Sequence, residues 1–251
     1  MNLLILESQE IDDAHQALIT GARASHLTRV LHVTGGQTVR VGLLDGPLGR
    51  ATVIDVIDGV VRLQCVFDRD APEPPRVDVL LALPRPKVMR RLWAQLAAIG
   101  VGQIVLTNAA KVERDYFDTH ILRQETYRPL LIEGLQQARD TRLPRVSIHR
   151  QFRVLVEDDL DDLFPTGRRL LADPGATSVP RLRITSHDER VVVAVGPEGG
   201  WDDFERALLE AHRFEPVGMG PRTLRVDTAC IAVLAVIHEA LKAGGPASAG
   251  A

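Results

Sequence analysis

A run of five small or β-branched apolar residues, Val191 to Val195, constrains the fold most strongly, because such a run suits a strand buried on both faces. The glycine-rich segment GPEGG, residues 196–200, ends this strand. Asp202 and Glu205 follow in the capping-box spacing that begins a helix. Strand, glycine turn and helix in this order predict a parallel sheet covered by helices. The spacing is neither GxGxxG nor a P-loop, so the loop is either a ligand loop or an ordinary tight turn.

Composition indicates a globular chain without a membrane span. The chain has 251 residues, of which 45% are hydrophobic, enough for one large domain or two modest ones. Its longest apolar run, Ala229 to Ile237, is about half the length that a membrane span requires. The N-terminus lacks the features of a secretory signal, so we expect a cytoplasmic protein. Cys65 and Cys230 have no CxxC partner and the histidines have no metal-ligand spacing, so no metal is expected.

The first part of the chain has the pattern of a small β-rich unit. Residues 51–57 and 60–67 are predicted strands, and Asp58-Gly59 between them is a strong hairpin signal. The segment DRDAPEPPR, with three prolines and mixed charge, is the best linker in the chain. We therefore predict a β-barrel domain at residues 1–71, a linker at 72–76, an α/β domain at 77–244 and a flexible tail at 245–251.

From Val77 onward, strand and helix patterns alternate, which is typical of a largely parallel α/β sheet. Three predicted strands end in loops built from Asp, Pro and Gly, with the sequences LADPGA, VGPEGG and MGPR. Loops at one edge of a sheet can converge on a single ligand. The predicted strands are 77–83, 101–107, 145–149, 170–172, 191–195 and 217–219, and the predicted helices are 87–99, 119–138 and 228–243.

Two arginine-rich segments are candidates for binding a phosphate backbone, although the net charge of the chain is −3. The alternative is a solvated surface paired with the acidic run at residues 157–162, and both interpretations stay open. His26 and Arg29 in the first domain are further candidates for touching RNA, or ordinary surface residues. The basic residues concerned are Arg85, Lys87, Arg90, Arg91, Arg139, Arg142, Arg145, Arg150 and Arg153.

Arg222, Arg225 and Asp227 lie between the last predicted strand and the last helix. An arginine there could stabilise developing negative charge while a carboxylate accepts a proton. Asp227 could equally be a helix cap. Glu198, inside the glycine-rich segment, is a second candidate carboxylate.

Together these motifs resemble a known family. VGPEGGWDDFE followed by MGPRTLRVDTA resembles the paired C-terminal motifs of the SPOUT methyltransferases of the RsmE type, the 16S rRNA (uracil-N3)-methyltransferases. SHLTRVLHVTGGQTV and QQARDTRLP resemble further segments of that family. The resemblance implies an N-terminal PUA-like β-barrel that binds RNA and a C-terminal SPOUT α/β domain with a deep trefoil knot. It also implies a homodimer, S-adenosylmethionine as cofactor, and 16S rRNA in the 30S subunit as partner.

Residue chemistry and the resemblance together give expected roles. The catalytic and RNA roles follow from charge and position, and the cofactor positions follow from the resemblance. Arg225 would be the catalytic cation, with Asp227 or Glu198 assisting deprotonation of the uridine. His26, Arg29, Arg85, Lys87, Arg139, Arg142 and Arg222 would contact RNA. The cofactor would lie among Leu171, Gly196, Glu198, Gly199, Gly200, Met219, Gly220, Leu224 and Thr228.

Three departures from the family pattern affect this transfer. Asp227 stands where the family usually has Glu, Gln136 replaces an acid, and Ala98 replaces another. In the same segment as Gln136, Arg139-Asp140 stand where Gly-Arg is usual. One alternative is therefore an RNA-binding or ribosome-assembly factor that keeps the fold without catalysis, and a second is an enzyme that acts on a small nucleotide.

Overall fold

The computed structural model describes residues 2–176 and 189–243. The chain divides into two compact units, Met1–Pro74 with Ile132–Leu143, and Pro75–Leu131 with Pro144–Ala251. The tail predicted at 245–251 lies outside the described residues.

The first unit is built on a five-stranded sheet with the strand order β1-β3-β4-β5-β2. Strands β1 and β3 are parallel and the other pairs are antiparallel. Asp58 and Gly59 join β4 to β5 with φ of 51° and 78°, as a tight hairpin of the primed type requires. The elements are β1 Leu4–Leu6, β2 Gln16–Ile19, α1 Gly21–Arg29, β3 Thr38–Leu43, β4 Leu48–Ile57 and β5 Val60–Arg69.

Residues 132–143 belong to this first unit, although the sequence pattern assigns them to the second domain. Asp45 explains the attachment, because its backbone N–H donates to the Thr141 carbonyl at 2.8 Å. The Thr141 hydroxyl donates to the Gly46 carbonyl at 2.7 Å, and the Leu143 N–H donates to Asp45 Oδ1 at 2.8 Å. These hydrogen bonds join residues about 95 positions apart, which no local pattern encodes.

The second unit contains a six-stranded sheet in the order β11-β9-β10-β6-β7-β8, and every pair of neighbours is parallel. The predicted α/β class with a parallel sheet is thus confirmed. Its strands are β6 Val77–Ala82, β7 Val101–Thr107, β8 Arg145–His149, β9 Arg168–Ala172, β10 Val191–Val195 and β11 Phe214–Val217. Its helices are α2 Pro86–Ile99, α3 Gln124–Ala138 (which ends in the first unit), α4 Phe152–Val154, α5 Leu160–Leu163, α6 Asp203–Ala211 and α7 Val226–Ala243.

Two predicted elements depart most from their expected bounds. The helix expected from residue 119 begins only at Gln124, after a 3-10 turn at His120–Leu122. The Ile121 carbonyl accepts a hydrogen bond from Trp93 Nε1 at 3.2 Å, so a tertiary partner fixes that turn. The last strand ends at Val217 instead of beginning there, because residues 214–217 pair with β9.

Candidate functional site

Three loops at the carboxyl edge of the second sheet surround one cleft of about 290 Å³. They follow β9, β10 and β11, which are neighbouring parallel strands, so their ends meet at the same edge. The sequence expectation that the LADPGA, VGPEGG and MGPR loops converge is therefore met in the geometry. The cleft is lined by Leu171, Ala172, Asp173, Pro174, Val195, Gly196, Pro197, Glu198, Gly199, Gly200, Trp201, Arg206, Val217, Met219, Gly220, Arg222, Thr223, Leu224, Val226 and Ala229.

The segment 196–201, here called the glycine loop, forms one wall of the cleft. It ends at the N-cap Asp202, whose side chain accepts from the Glu205 N–H while Glu205 accepts from the Asp202 N–H. The predicted capping box is confirmed. A Cβ at Gly196 would lie 3.1 Å from the Trp201 ring, so the loop leaves little room for a side chain at that position.

Trp201 is held within this wall by an aromatic partner. Its ring centroid lies 5.3 Å from that of Phe152, with the planes tilted by 36°. Its buried indole N–H has no hydrogen-bond partner among the described residues. A buried donor without an acceptor is costly, so a polar ligand atom here would relieve that cost.

Asp173 and Arg206 form an ion pair on another side of the cleft. Asp173 follows β9 and its side chain is 11% exposed, whereas Arg206 belongs to α6 and also contacts Glu210 at 3.1 Å. Both residues line the cleft. Asp173 was predicted only as part of the LADPGA loop and Arg206 was not predicted, since 33 positions separate the two residues and only the sheet order brings them together.

The third wall is the segment between β11 and α7. Gly218 packs directly on the loop after β9, because a Cβ there would lie 1.9 Å from the Ala176 carbonyl oxygen. Gly220 has a φ of 102°, a backbone conformation that other residues rarely adopt. Gly218 therefore permits the close approach to the loop after β9, and Gly220 permits the turn of the backbone that follows.

Eight of the nine residues assigned to the cofactor by resemblance line this cleft, namely Leu171, Gly196, Glu198, Gly199, Gly200, Met219, Gly220 and Leu224. Thr228 does not line it and is exposed on α7. Arg222, which was assigned to RNA, does line it. The cofactor role of these residues stays a prediction.

The three candidate catalytic residues occupy different positions. Glu198 lines the cleft, and its Oε1 accepts from the Arg85 N–H at 3.2 Å. Arg225 is exposed just before α7, and neither it nor Asp227 lines the cleft. Asp227 pairs with Arg91 of α2, and this hydrogen bond holds the pKa of the Asp227 carboxyl below its ordinary value. Asp227 is thus ionised at neutral pH.

In the first unit, two candidate RNA residues lie on α1 and two follow α3. His26 is half-buried and Arg29 is exposed in the last turn of α1. Arg139 is exposed with a φ of 63°. Arg142 has structural partners, because its Nε donates to the Pro72 carbonyl at 2.6 Å and its guanidinium also reaches the Asp45 carbonyl at 3.2 Å.

In the second unit, Arg85 and Lys87 are exposed at the start of α2. Other arginines form ion pairs with acidic residues of the same unit, as we expect if the arginine-rich segment is a solvated surface. Arg153 donates to Glu157 at 2.8 Å, and Arg150 donates to Asp118 at 3.0 Å. The arginine-rich segment is therefore only partly available for a polyanion.

Within residues 2–176 and 189–243, no group of three or more His, Cys, Asp and Glu side chains is arranged to hold a metal ion. No helix in the same ranges is both long and apolar enough to cross a membrane.

Comparison with known proteins places these features in a family. A model described as an RNA methyltransferase domain matches residues 71–238. Among curated relatives, ribosomal RNA small subunit methyltransferase E of Treponema pallidum (strain Nichols) is 29% identical over 244 residues, which is 94% of this chain and 90% of that protein.

Solved structures show the same fold. Ribosomal RNA small subunit methyltransferase E from Neisseria gonorrhoeae, bound to S-adenosyl methionine, matches with a TM-score of 0.76 and 18% identity over 95% of this chain and 97% of that chain. A methyltransferase from Legionella pneumophila, in complex with the cofactor SAM, matches with a TM-score of 0.77 and 20% identity over the same shares of both chains. At these identities the likeness concerns the fold.

Proposed function

The chain belongs to the RNA methyltransferase domain family, and on that premise we propose that it transfers a methyl group from S-adenosylmethionine to N3 of a uridine in 16S rRNA. The observation that carries this proposal is the cleft, because eight residues named from the family motifs line it together. The name of the Treponema relative supports a small-subunit rRNA substrate. The SAM-bound neighbour from Neisseria supports the cofactor.

The chemistry of the cleft fits this cofactor. Leu171, Val195, Met219 and Leu224 supply apolar surface for a nucleoside and a thioether chain. Asp173, Arg206 and Arg222 supply both signs of charge, as the amino and carboxylate groups of a methionine moiety require. When bound, S-adenosylmethionine supplies a methyl group activated by a positively charged sulfur.

The remaining chemistry falls to side chains at the mouth of the site. Uridine N3 carries a proton, and its lone pair attacks well only as that proton leaves. Asp227, whose carboxylate pairs with Arg91, or Glu198 would accept this proton. Arg225 is exposed just before α7, where its carbonyl accepts a hydrogen bond from the Ala229 N–H. Its guanidinium would stabilise the negative charge that develops on the uracil oxygens. Alignment of the two reactants would supply much of the rate acceleration.

We propose that RNA also contacts the first unit, as a PUA-like barrel, through Arg29 and Arg139. Both side chains are exposed and basic. His26 would contribute from the same helix as Arg29. Such contacts position the substrate and do no chemistry. A target in the 30S subunit implies action in the cytoplasm.

We further propose that the second unit is a SPOUT domain with a deep trefoil knot and that the protein is a homodimer. The direct packing of Gly218 on Ala176 supports closely crossing segments at the cleft. The apolar helix α7 supports a dimer, since Ala235 is exposed and Ile231 and Ala232 are only half-buried. Light scattering of the purified protein tests the dimer.

The proposed activity is tested with purified protein, S-adenosylmethionine and either free 16S rRNA or 30S particles from a strain that lacks this gene. We expect 3-methyluridine at one position, found by mass spectrometry of RNA fragments, and absent when Arg225 is replaced by alanine. Normal 3-methyluridine in 16S rRNA of the deletion strain would remove the proposed target. Tight RNA binding without any methyl transfer would favour the assembly-factor alternative.

A further inference from the structure

The glycine loop is held from its outer side by residues that do not line the cleft. Lys111, in the loop after β7, donates from Nζ to the Gly199 carbonyl at 2.8 Å. The lysine stem also packs on the same residue, because a Cβ at Gly199 would lie 2.8 Å from Lys111 Cδ. Lys111 therefore fixes both the direction of this carbonyl and the space beside it.

A buried carboxylate joins the same two loops a few residues further along. Glu205 is 3% exposed, although a charged side chain is rarely buried so fully without partners. Its Oε1 accepts from the Ala110 N–H at 2.6 Å and its Oε2 accepts from the Asp202 N–H at 2.9 Å. One carboxylate thus ties the loop after β7 to the end of the glycine loop.

Glu198 supplies a third attachment. Its Oε1 accepts from the N–H of Arg85, the N-cap residue of α2, at 3.2 Å. A carboxylate at a helix N-terminus is favoured by the orientation of the peptide dipoles. The glycine loop is consequently attached to the loops after β6 and β7, while its other side faces the cleft.

We propose that Lys111 and Glu205 are positioning residues that hold the glycine loop in the shape that binds S-adenosylmethionine. This inference rests on the proposed function, because it assigns a role to the same cleft. A loop that is already ordered loses less conformational entropy when a ligand binds to it. Neither side chain touches the cleft, so both act through the backbone of the loop.

Lys111→Met removes the hydrogen-bond donor and keeps most of the apolar stem. One lost charge-assisted hydrogen bond corresponds to about a tenfold change in an equilibrium constant. We therefore expect about a tenfold rise in the Kd and KM for S-adenosylmethionine, with kcat at saturating cofactor and affinity for 16S rRNA unchanged. Lys111→Arg, which keeps a donor, should recover most of the affinity.

Lys242→Met is the matched control, since Lys242 is an exposed lysine near the end of α7 that pairs with Glu239 at 3.0 Å. Its Kd should equal that of the parent. Calorimetry with cofactor alone gives Kd without any RNA, and thermal unfolding shows whether each variant is folded.

Glu205→Gln tests the second residue. An amide keeps one acceptor and sets a donor against a backbone N–H, so one of the two attachments is lost. We expect weaker cofactor binding together with a lower Tm. If this variant does not fold, the inference is tested with Lys111→Met alone.

Three outcomes would overturn the inference. An unchanged Kd in folded Lys111→Met shows that the loop does not depend on this lysine. A fall in kcat alone, or in RNA affinity alone, assigns Lys111 to the reaction or to RNA instead. Absence of cofactor binding by the parent protein is a separate result, because it contradicts the proposed function itself.

Discussion

Arg91 and Asp227 are joined by a hydrogen bond of 2.8 Å between guanidinium and carboxylate, although 136 residues separate them in the chain. Asp227 Oδ1 also accepts from the Thr228 N–H at 3.0 Å, so each carboxylate oxygen has a hydrogen-bond donor. This pairing connects the first turn of α7 to α2. The orientation of the residue that the family motif offers as a base is thus set in part by a residue outside that motif.

Replacing Arg91 by methionine should lower the stability in a pH-dependent way. The folded pKa of Asp227 is depressed, so the pair stabilises the protein above the ordinary pKa of 3.8 and this contribution is lost as pH falls through the folded pKa. We expect a loss of about 0.5 kcal/mol at pH 7, because Arg91 is half exposed, and a smaller difference below pH 4. Urea unfolding at both pH values measures it. Arg90→Met, on the same helix, should show no such pH dependence.

Gly218→Ala should abolish cofactor binding. The added methyl group would lie 1.9 Å from the Ala176 carbonyl oxygen, and a backbone atom cannot move aside as the end of a side chain can. We expect a loss of about 2 kcal/mol or more in the free energy of unfolding, since overpacking forces the backbone to shift. Gly175→Ala is the control in the neighbouring loop, where the nearest atom would lie at an ordinary 3.4 Å. Equal cofactor affinity in both variants would contradict the prediction.

Cofactor binding should change the fluorescence of Trp201. This residue lines the cleft, whereas the only other tryptophan, Trp93, is fully buried and donates to the Ile121 carbonyl. A titration with S-adenosylmethionine should therefore give a saturable signal whose midpoint equals the calorimetric Kd. In Trp201→Phe the signal should disappear while Trp93 still emits. A full-sized change in that variant would show that the ligand binds elsewhere.

Neither cysteine should react with thiol reagents in the folded protein. Burial raises the pKa of the Cys65 thiol to about 11 and that of Cys230 to about 12, so almost no reactive thiolate forms at pH 8. Titration with an aromatic disulfide should detect no rapid thiol in native buffer and two thiols in guanidinium chloride. Rapid labelling of one thiol in native buffer would show that its part of the core opens readily.

Local patterns were sufficient for several elements of the fold. The strands at residues 101–107, 145–149 and 191–195 have the predicted bounds. The clearest signal is Val191–Val195, a continuous apolar run that ends at Gly196 and is buried throughout. The capping box of Asp202 and Glu205 involves residues only three positions apart, so its spacing alone identifies it. The other partner of Glu205, the Ala110 N–H, lies 95 positions away and has no such signature.

Weak strands and irregular helices required the folded context. Strands β1 and β2 were not predicted, since three or four residues give too little periodicity to recognise. The segment from Phe152 to Leu163 contains a π-helical turn at Leu155–Asp159, whose apolar spacing departs from the regular helical period. The start of α3 depends on the hydrogen bond from Trp93, which is distant in sequence.

Local sequence patterns identified the glycine-rich motifs, the buried strands beside them and eight of the residues that line the cleft. The pairing of charged groups in and around the cleft depends instead on how distant segments pack together. Arg91 with Asp227, Arg206 with Asp173, and Lys111 with the Gly199 carbonyl each join different segments of the second unit. Their proximity depends on strand order and helix packing, and the local sequence around each residue encodes neither.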